Sequence, residues 1–283
     1  MSILFPTDFS DDSVKSFEFA LNLAKKLNHS ITLIHVYPLP MTFPSMDEGR
    51  MSDMSENLMQ ITETAMEERL KLFKDTLRDR YSNNYPEMIS VAGMLKMGFV
   101  GEEVAHAAEE TGASYVVIGV KGSKGLKRFL GGNDVSSIVR KCKVPVITVP
   151  ENYSFQPIRN FAYATDLTFN DNAIISKILE LAANFEDAHI KCFHVHDSNL
   201  DVENSIIDDF IQQYKSEANR RIISFELIDN VNIIDGIDYF IQSRDIDLLV
   251  VLKQKKYWLE VFESSMTKKL VFHEKVPMLI YHE

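Results

Sequence analysis

Residues 115–137 read YVVIGVKGSKGLKRFLGGNDVSS, and this stretch decides the fold of the chain. It opens on an apolar β-branched run, 116–118, which is typical of a strand buried in a parallel sheet. Glycines and lysines follow, and the pattern then turns helical from Asn133 towards Pro145. Backbone N–H groups beside glycines, together with a helix N-terminus, form a cradle for an anion. The stretch therefore predicts a strand, a phosphate-binding loop and a helix start, with an ordinary solvated loop as the alternative.

The spacing of the glycines differs from that of two common nucleotide-binding loops. It is Gly119-x2-Gly122-x9-Gly132, followed by a small polar residue. The P-loop pattern Gly-x4-Gly-Lys-Ser/Thr and the dinucleotide pattern Gly-x-Gly-x2-Gly do not occur in the chain. Because short glycine patterns are only hypotheses, the rest of the chain has to agree.

Composition excludes several classes of protein. The chain has 283 residues, of which 45% are hydrophobic and 25% charged, as in a globular protein large enough for two domains. Its net charge of −11 argues against nonspecific nucleic-acid binding, which needs a basic face. No apolar run reaches the length of a membrane span and no secretion signal opens the chain, so we expect a cytoplasmic protein without membrane association. The two cysteines, Cys142 and Cys192, fit a reducing compartment.

Strands and helices alternate along the first half. Predicted strands cover residues 2–6, 31–36, 88–95, 115–118 and 144–150. Ser10 or Asp11 is the expected N-cap of the first helix. The second helix follows a methionine-rich loop at 38–55, and its apolar spacing favours a buried stripe of Leu58, Ile61, Ala65, Leu72 and Leu77. Such alternation predicts a parallel sheet with helices on both faces.

The order of elements begins again after a linker at 151–157. The segment FAYATD at 161–166 corresponds to ILFPTD at 3–8, and IKCFHV at 190–195 corresponds to ITLIHV at 31–36. Two later segments, 247–252 and 276–281, correspond in the same way to 114–119 and 144–149. Four correspondences in one order predict an internal duplication.

Both halves resemble the universal stress protein family. The markers in the first half are PTDFS at 6–10, HV at 35–36, Gly98 ahead of a helix, the glycine pattern, and VPV at 144–146. The resemblance covers nearly the whole chain. It implies an α/β fold with two tandem doubly wound five-stranded parallel sheets, strand order 3-2-1-4-5, of the adenine nucleotide alpha hydrolase-like type. The implied domains are residues 1–150, which carry the nucleotide-binding motif, and 158–283, a degenerate copy.

The resemblance also implies a site for an adenine nucleotide (ATP, ADP or AMP, with or without Mg²⁺). This site would lie beyond the carboxyl ends of the first and fourth strands, where open α/β sheets bind ligands. Asp8 would bind polar atoms of adenine or ribose, and Val36 would present its backbone to adenine. The implied nucleotide-binding residues are Pro6, Thr7, Asp8, Val36, Gly119, Gly122, Ser123, Gly132, Asn133, Val135 and Ser136.

Two residues depart from the family, which has serine or threonine where Asn133 stands and an apolar residue where Asp134 stands. Asn133 can still donate a hydrogen bond and cap a helix. The carboxylate of Asp134 beside phosphates costs Coulomb energy unless it meets solvent or Mg²⁺. The second half has lost the motif, with Leu252, Lys255 and Ser264 in place of the glycines. Asp166 persists there, and a capping role explains it better than ligand binding.

The resemblance thus implies a stress-response protein that binds nucleotide in its first half, with the second half as a structural partner. We expect no enzyme activity, because no general base or catalytic triad is recognisable. A slow ATPase and a nucleotide-free interaction protein are the alternatives. His194 and His196 on one strand face suggest a metal site, but a structural role is favoured. Cys142, beside two lysines, is favoured as an ordinary helix residue over a reactive thiol.

The last strand of each half, at 146–149 and 278–281, is apolar and would lie at a sheet edge. An open apolar edge invites aggregation, and in the family such strands often join two subunits. We therefore expect the two strands to pair within one chain, with a homodimer as the alternative. Pro145 and Pro277 are compatible with the start of an edge strand.

Overall fold

A computed structural model describes residues 1–38, 48–81, 90–120, 132–151, 153–167, 171–196, 204–220, 222–253 and 275–282. Contacts divide the chain into two compact units. The first comprises Met1–Gly119 and Lys127–Cys142, and the second comprises Val120–Leu126 and Lys143–Glu283. None of the described helices has the length and hydropathy needed to cross a membrane. Residues 39–47, half of the predicted methionine-rich loop, lie outside the described residues, and residues 48–55 are helical.

The first unit alternates strands and helices, as predicted. Its strands are β1 (Ser2–Pro6), β2 (Ser30–Tyr37), β3 (Val91–Met97) and β4 (Ala113–Val120), and its helices are α1 (Asp11–Leu27), α2 (Glu48–Tyr81), α3 (Val100–Glu110) and α4 (Gly132–Lys141). The strands are parallel, in the order β3-β2-β1-β4. Apolar runs such as Val116–Ile118 are fully buried because helices cover the sheet.

The start of α1 agrees with the sequence pattern. Ser10 is the N-cap, and its hydroxyl oxygen accepts a hydrogen bond from the N–H of Ser13 at 3.3 Å. Val14 and Phe17 lie on the buried face. Asn28, with a φ of 54°, ends the helix in the left-handed conformation that asparagine tolerates.

The stripe predicted for α2 is wrong at most of its positions. Leu77 is buried, but Leu58, Ile61 and Leu72 are 47%, 66% and 65% exposed, and Ala65 is exposed as well. The buried series is Leu70, Phe73, Leu77 and Tyr81. Both series have helical spacing, so periodicity did not distinguish them. Contact decides: a Cβ on Gly93 of β3 would lie 2.9 Å from Leu70, so this leucine packs directly on the sheet.

The described residues of the second unit form six strands. They are β5 (Val146–Pro150), β6 (Asn160–Ala164), β7 (His189–His196), β8 (Ile223–Asp229), β9 (Leu248–Lys253) and β10 (Met278–His282), and the helices are α5 (Asp171–Ala182), α6 (Asn204–Gln213), α7 (Lys215–Asn219) and α8 (Ile233–Ser243). The strand order is β5-β10-β9-β6-β7-β8. All neighbours are parallel except β5 and β10.

β5 and β10, the two strands expected to pair, are antiparallel neighbours. Ile147 lies opposite Leu279, and both side chains are fully buried. Contacts place β5 in the second unit, and the first unit ends at Cys142. The edge of β5 that faces β10 and the edge of β10 that faces β5 are therefore both paired.

Candidate functional site

The turn after β1 is held at the carboxyl edge of the sheet by backbone hydrogen bonds. Pro6 is the buried last residue of β1. The N–H of Thr7 donates to the carbonyl of Ile34 in β2 at 2.9 Å, and the N–H of Phe9 donates to Oγ1 of Thr7 at 3.0 Å. Phe9 has a φ of 61°, which is uncommon for a bulky residue. Contacts with the rest of the unit therefore stabilise the turn against its local preference.

Asp8 is anchored by the start of α1. Its Oδ1 accepts hydrogen bonds from the N–H of Ser10 at 3.0 Å, from the hydroxyl of Ser13 at 2.7 Å, and from the hydroxyl of Ser10. All three donors belong to the capping region of α1. A capping role is therefore sufficient to explain Asp8, and binding a ligand would be an additional role for a carboxylate already held in place.

β2 brings His35 and Val36 against this turn. Val36 is 4% exposed, so its side chain belongs to the core. Nδ1 of His35 lies 2.7 Å from the carbonyl oxygen of Thr7, and because a carbonyl only accepts, Nδ1 carries the proton. The imidazole packs on the ring of Phe9 with centroids 4.2 Å apart. Burial lowers the pKa of His35, because desolvation disfavours the charged imidazolium.

We expect His35 to make the protein less stable in mild acid. An unfolded histidine titrates near pH 6.5, and the pKa of folded His35 is lower. Below about pH 6.5 the unfolded chain therefore binds more protons than the folded chain, and the free energy of unfolding falls as the pH falls. His35→Asn keeps an N–H donor for Thr7 but removes the titration. Urea unfolding at two pH values on either side of 6.5 should show a larger acid loss in the wild type, and equal losses would contradict the prediction.

Gly119 lies near the end of β4, beside α1. A Cβ at this position would be 2.3 Å from Oγ and 3.0 Å from Cβ of Ser16. The hydroxyl of Ser16 donates to the carbonyl of Asp12 at 2.7 Å, which holds it in place. Sequence reasoning assigned the missing side chain of Gly119 to a ligand. The structure supplies a packing reason for the same glycine, namely the close approach of α1 to β4.

Only some of the residues predicted to bind phosphate lie in the described part of the chain. α4 begins at Gly132, and its first two turns contain three further predicted residues: Asn133, Val135 and Ser136. The first N–H groups of a helix have no partner within the helix, so they can donate to an anion. Val135 is 1% exposed, so only its backbone remains for a ligand. Gly122 and Ser123 lie outside the described residues.

The register of the sheet sets two parts of the predicted site side by side. Leu4 of β1 pairs with Val116 of β4, and Thr7 and Gly119 each follow their strand's partner residue by three positions. Neighbouring strands are about 4.8 Å apart. Because the strands are parallel, the turn after β1, the end of β2 and Gly119 share the carboxyl edge, where open α/β sheets bind ligands.

The second unit repeats the hydrogen bonds of the turn. The N–H of Thr165 donates to the carbonyl of Phe193 at 3.0 Å, and the N–H of Leu167 donates to Oγ1 of Thr165 at 2.9 Å. Nδ1 of His194 lies 2.7 Å from the carbonyl of Thr165. Leu167 has a φ of 61°, the value found at Phe9. The sequence correspondence of the two halves is thus accompanied by the same local geometry.

A buried carboxylate distinguishes the second turn from the first. Asp171 is 2% exposed and accepts hydrogen bonds from the hydroxyls of Tyr163 and Thr165, each at 2.5 Å. Burial, followed by the charge of Asp171, raises the pKa of Tyr163, so its hydroxyl remains a donor. Sequence reasoning missed this network. The sequence carries one sign of it: both residues differ between the halves, since Phe5 and Ser13 stand in the first half where Tyr163 and Asp171 stand in the second.

The position that corresponds to Gly119 is filled in the second unit. Leu252 stands there in β9, 7% exposed and paired with Tyr281 of β10. A leucine occupies the space that a glycine would leave open. Asp166 is exposed, and Lys255 and Ser264 lie outside the described residues.

Two of the other sequence candidates, His194 and Cys142, have structural explanations. His194 bonds to the turn, and in the described part of the chain Nδ1 of His196 is buried without a hydrogen-bond partner. Among the described residues, no three His, Cys, Asp or Glu side chains are grouped closely enough to hold a metal ion. Cys142 is 3% exposed and Cys192 is fully buried. Both sulfur atoms are therefore core groups, and burial raises the pKa of the Cys192 thiol.

Comparison with known proteins identifies the fold and the family. A universal stress protein of Methanocaldococcus jannaschii is 27% identical over 147 residues, which are 52% of this chain and 80% of that protein. A solved universal stress protein of Archaeoglobus fulgidus matches 100% of this chain and 96% of its own with a TM-score of 0.65 at 15% identity. A putative universal stress protein of Pseudomonas aeruginosa matches 99% and 92% with a TM-score of 0.59 at 12% identity. These two structures show the fold alone. The model of the universal stress protein family matches residues 1–150, more than half of the chain, and this protein therefore belongs to that family.

Proposed function

We propose that the first half of this protein binds an adenine nucleotide (ATP, ADP or AMP), with or without Mg²⁺, and that the protein is a cytoplasmic binding protein. The observation that carries the proposal is the register that sets the turn after β1, the end of β2 and Gly119 together at the carboxyl edge. The start of α4, thirteen residues beyond Gly119, supplies N–H donors suited to phosphate. Polar groups for a nucleoside and donors for phosphates are thus available in one half.

The second half is proposed as a degenerate copy, so that the chain is a tandem universal stress protein with domains 1–150 and 158–283. The repeated turn and the whole-chain likeness to the Archaeoglobus fulgidus structure support this arrangement. Leu252 in place of a glycine argues against a second nucleotide site. The antiparallel contact of β5 with β10 supports the two halves as structural partners within one chain.

A binding role is favoured over a slow ATPase by the contacts of Asp8. A general base needs an oxygen atom that can reach the proton it removes. Oδ1 of Asp8 instead accepts hydrogen bonds from three donors of the α1 cap. A nucleotide-free interaction protein is the second candidate, and Asp134 favours it. This carboxylate lies in the first turn of α4, where the helix dipole stabilises it but where it repels phosphate.

We expect one adenine nucleotide per chain. Native mass spectrometry of the purified protein should show the mass of one co-purifying nucleotide, and calorimetric titration of the nucleotide-free protein should give a stoichiometry of one. The physical reason is that the glycine pattern is present at Gly119–Gly132 and absent at Leu252–Ser264. Two equal sites, or no binding of ATP, ADP or AMP, would contradict the proposal.

Gly122→Val should weaken nucleotide binding by about 100-fold, the upper end of what overpacking a close contact costs. The added side chain would stand where the backbone has to approach phosphate. Calorimetric titration measures the change, and an unchanged melting temperature shows that the fold is intact. Lys255→Val, the corresponding change in the second half, is the matched control and should leave the affinity unchanged. Normal binding by the Gly122 variant would mean that the site lies elsewhere.

A further inference from the structure

Arg69 of α2 lies over the turn that carries Asp8. Its guanidinium carbon is 5.3 Å from the centroid of the Phe9 ring, within the range of a cation–π contact. The Phe9 ring also packs against Phe73, with centroids 5.5 Å apart. Phe73 is buried and lies one helical turn after Arg69. The packing of Phe73 on Phe9 therefore positions this part of α2, and with it Arg69, beside the turn.

Arg69 and Asp8 act on the same imidazole. The positive charge of Arg69 lowers the pKa of His35 and the negative charge of Asp8 raises it, each less than burial does. Both charges therefore lie near enough to the His35 imidazole to act on it. Asp8 is engaged by the α1 cap. Arg69 is exposed, and within the described residues no carboxylate lies at ion-pair distance from it.

We propose that Arg69 is a further ligand-binding residue of this site and that its guanidinium recognises the anionic part of the bound nucleotide. The inference rests on the proposed nucleotide-binding function. A guanidinium is always charged, carries only donors, and bonds phosphate oxygens in a fork. α2 contributes no residue to the glycine motif, so the motif alone gave no reason to include Arg69.

The test compares two ligands that share the nucleoside and differ in whether they carry phosphates. Calorimetric titration of Arg69→Gln should show ATP binding weakened about tenfold, as expected for loss of a charge-assisted hydrogen bond. Binding of adenosine, which has no phosphate, should change less than twofold. Arg69→Lys keeps the charge and should retain most of the affinity for ATP. Arg78→Gln is the matched control, because Arg78 lies on the same helix, is 57% exposed, and its loss changes the net charge equally.

Each outcome decides the inference. Selective loss of ATP affinity in Arg69→Gln, with Arg78→Gln unchanged, supports it. Unchanged ATP affinity in Arg69→Gln overturns it while leaving the proposed function intact. Equal losses for ATP and adenosine, or equal losses in the two arginine variants, overturn the recognition of an anionic group at Arg69. Failure of the wild type to bind any nucleotide overturns the proposed function and the inference together.

Discussion

Replacing Ile147→Asp should lower the free energy of unfolding by about 4 kcal/mol or more. Ile147, the second residue of β5, is fully buried and lies opposite the fully buried Leu279 of β10. The variant loses the transfer free energy of isoleucine and places a carboxylate in an apolar junction without a partner. Domains are typically stable by only about 5–15 kcal/mol. We therefore expect a large drop in the melting temperature and in the midpoint of urea unfolding.

Two further variants separate charge from lost packing. Ile147→Asn has nearly the same shape as the aspartate variant but no charge, so it should be less destabilising at neutral pH. Burial would raise the pKa of the new aspartate in the folded state, so its excess penalty over asparagine should shrink as the pH falls towards about 4. Val231→Asp, at a residue that is 77% exposed, should be nearly neutral. A similarly neutral Ile147→Asp would mean that this face of β5 is open to solvent.

Gly101→Ala should destabilise the first unit by about 3 kcal/mol and also weaken nucleotide binding. Gly101 of α3 packs against Ser137 of α4, and a Cβ there would lie 2.0 Å from Oγ, 2.6 Å from Cβ and 2.9 Å from the backbone carbon of Ser137. Backbone cannot rotate away, so α4 has to move, and strain of this kind costs about 1–3 kcal/mol or more. α4 carries the residues proposed to face phosphate, so its displacement should raise the dissociation constant.

The sign of this effect makes the test informative. Alanine has a higher helix propensity than glycine, by about 1 kcal/mol in a helix interior. Gly101 lies in the first turn of α3, so without the close contact the substitution would be neutral or slightly stabilising. Ser137→Gly in the same chain should rescue part of the loss, because it removes two of the three close atoms. Gly93→Ala is the matched control, since its closest neighbour is the flexible end of Leu70 at 2.9 Å. Stabilisation by Gly101→Ala would contradict the observed helix–helix approach.

Local patterns predicted a large part of the fold. The run at 116–118 is a buried strand, Ser10 caps α1, and α3 covers the predicted residues Val100–Glu110. The predicted α/β class with a mainly parallel sheet is confirmed by the structure and by its structural neighbours. These features depend on interactions between residues close in sequence, or on burial of a whole segment, and both leave a periodic signal.

Contacts between distant segments were harder to predict. In α2 two apolar series have helical spacing, and only the one that meets β3 and Phe9 is buried, with Leu70 and Phe73 in it. The network around Asp171 joins residues of β6 and α5, and a buried carboxylate is recognisable only once its donors are known. For Gly119 the sequence suggested contact with a ligand, and the structure adds contact with Ser16.

The sequence by itself determined the family, the alternation of strands and helices, and the candidate residues at Thr7, Asp8 and the glycine loop, because these are carried by local motifs and by apolar periodicity. The tertiary structure decided which face of α2 is buried, that Arg69 lies over Phe9, and that Asp171 accepts from Tyr163. The physical reason is that burial and hydrogen bonding depend on the group that lies opposite, and residues far apart in the chain supply that group.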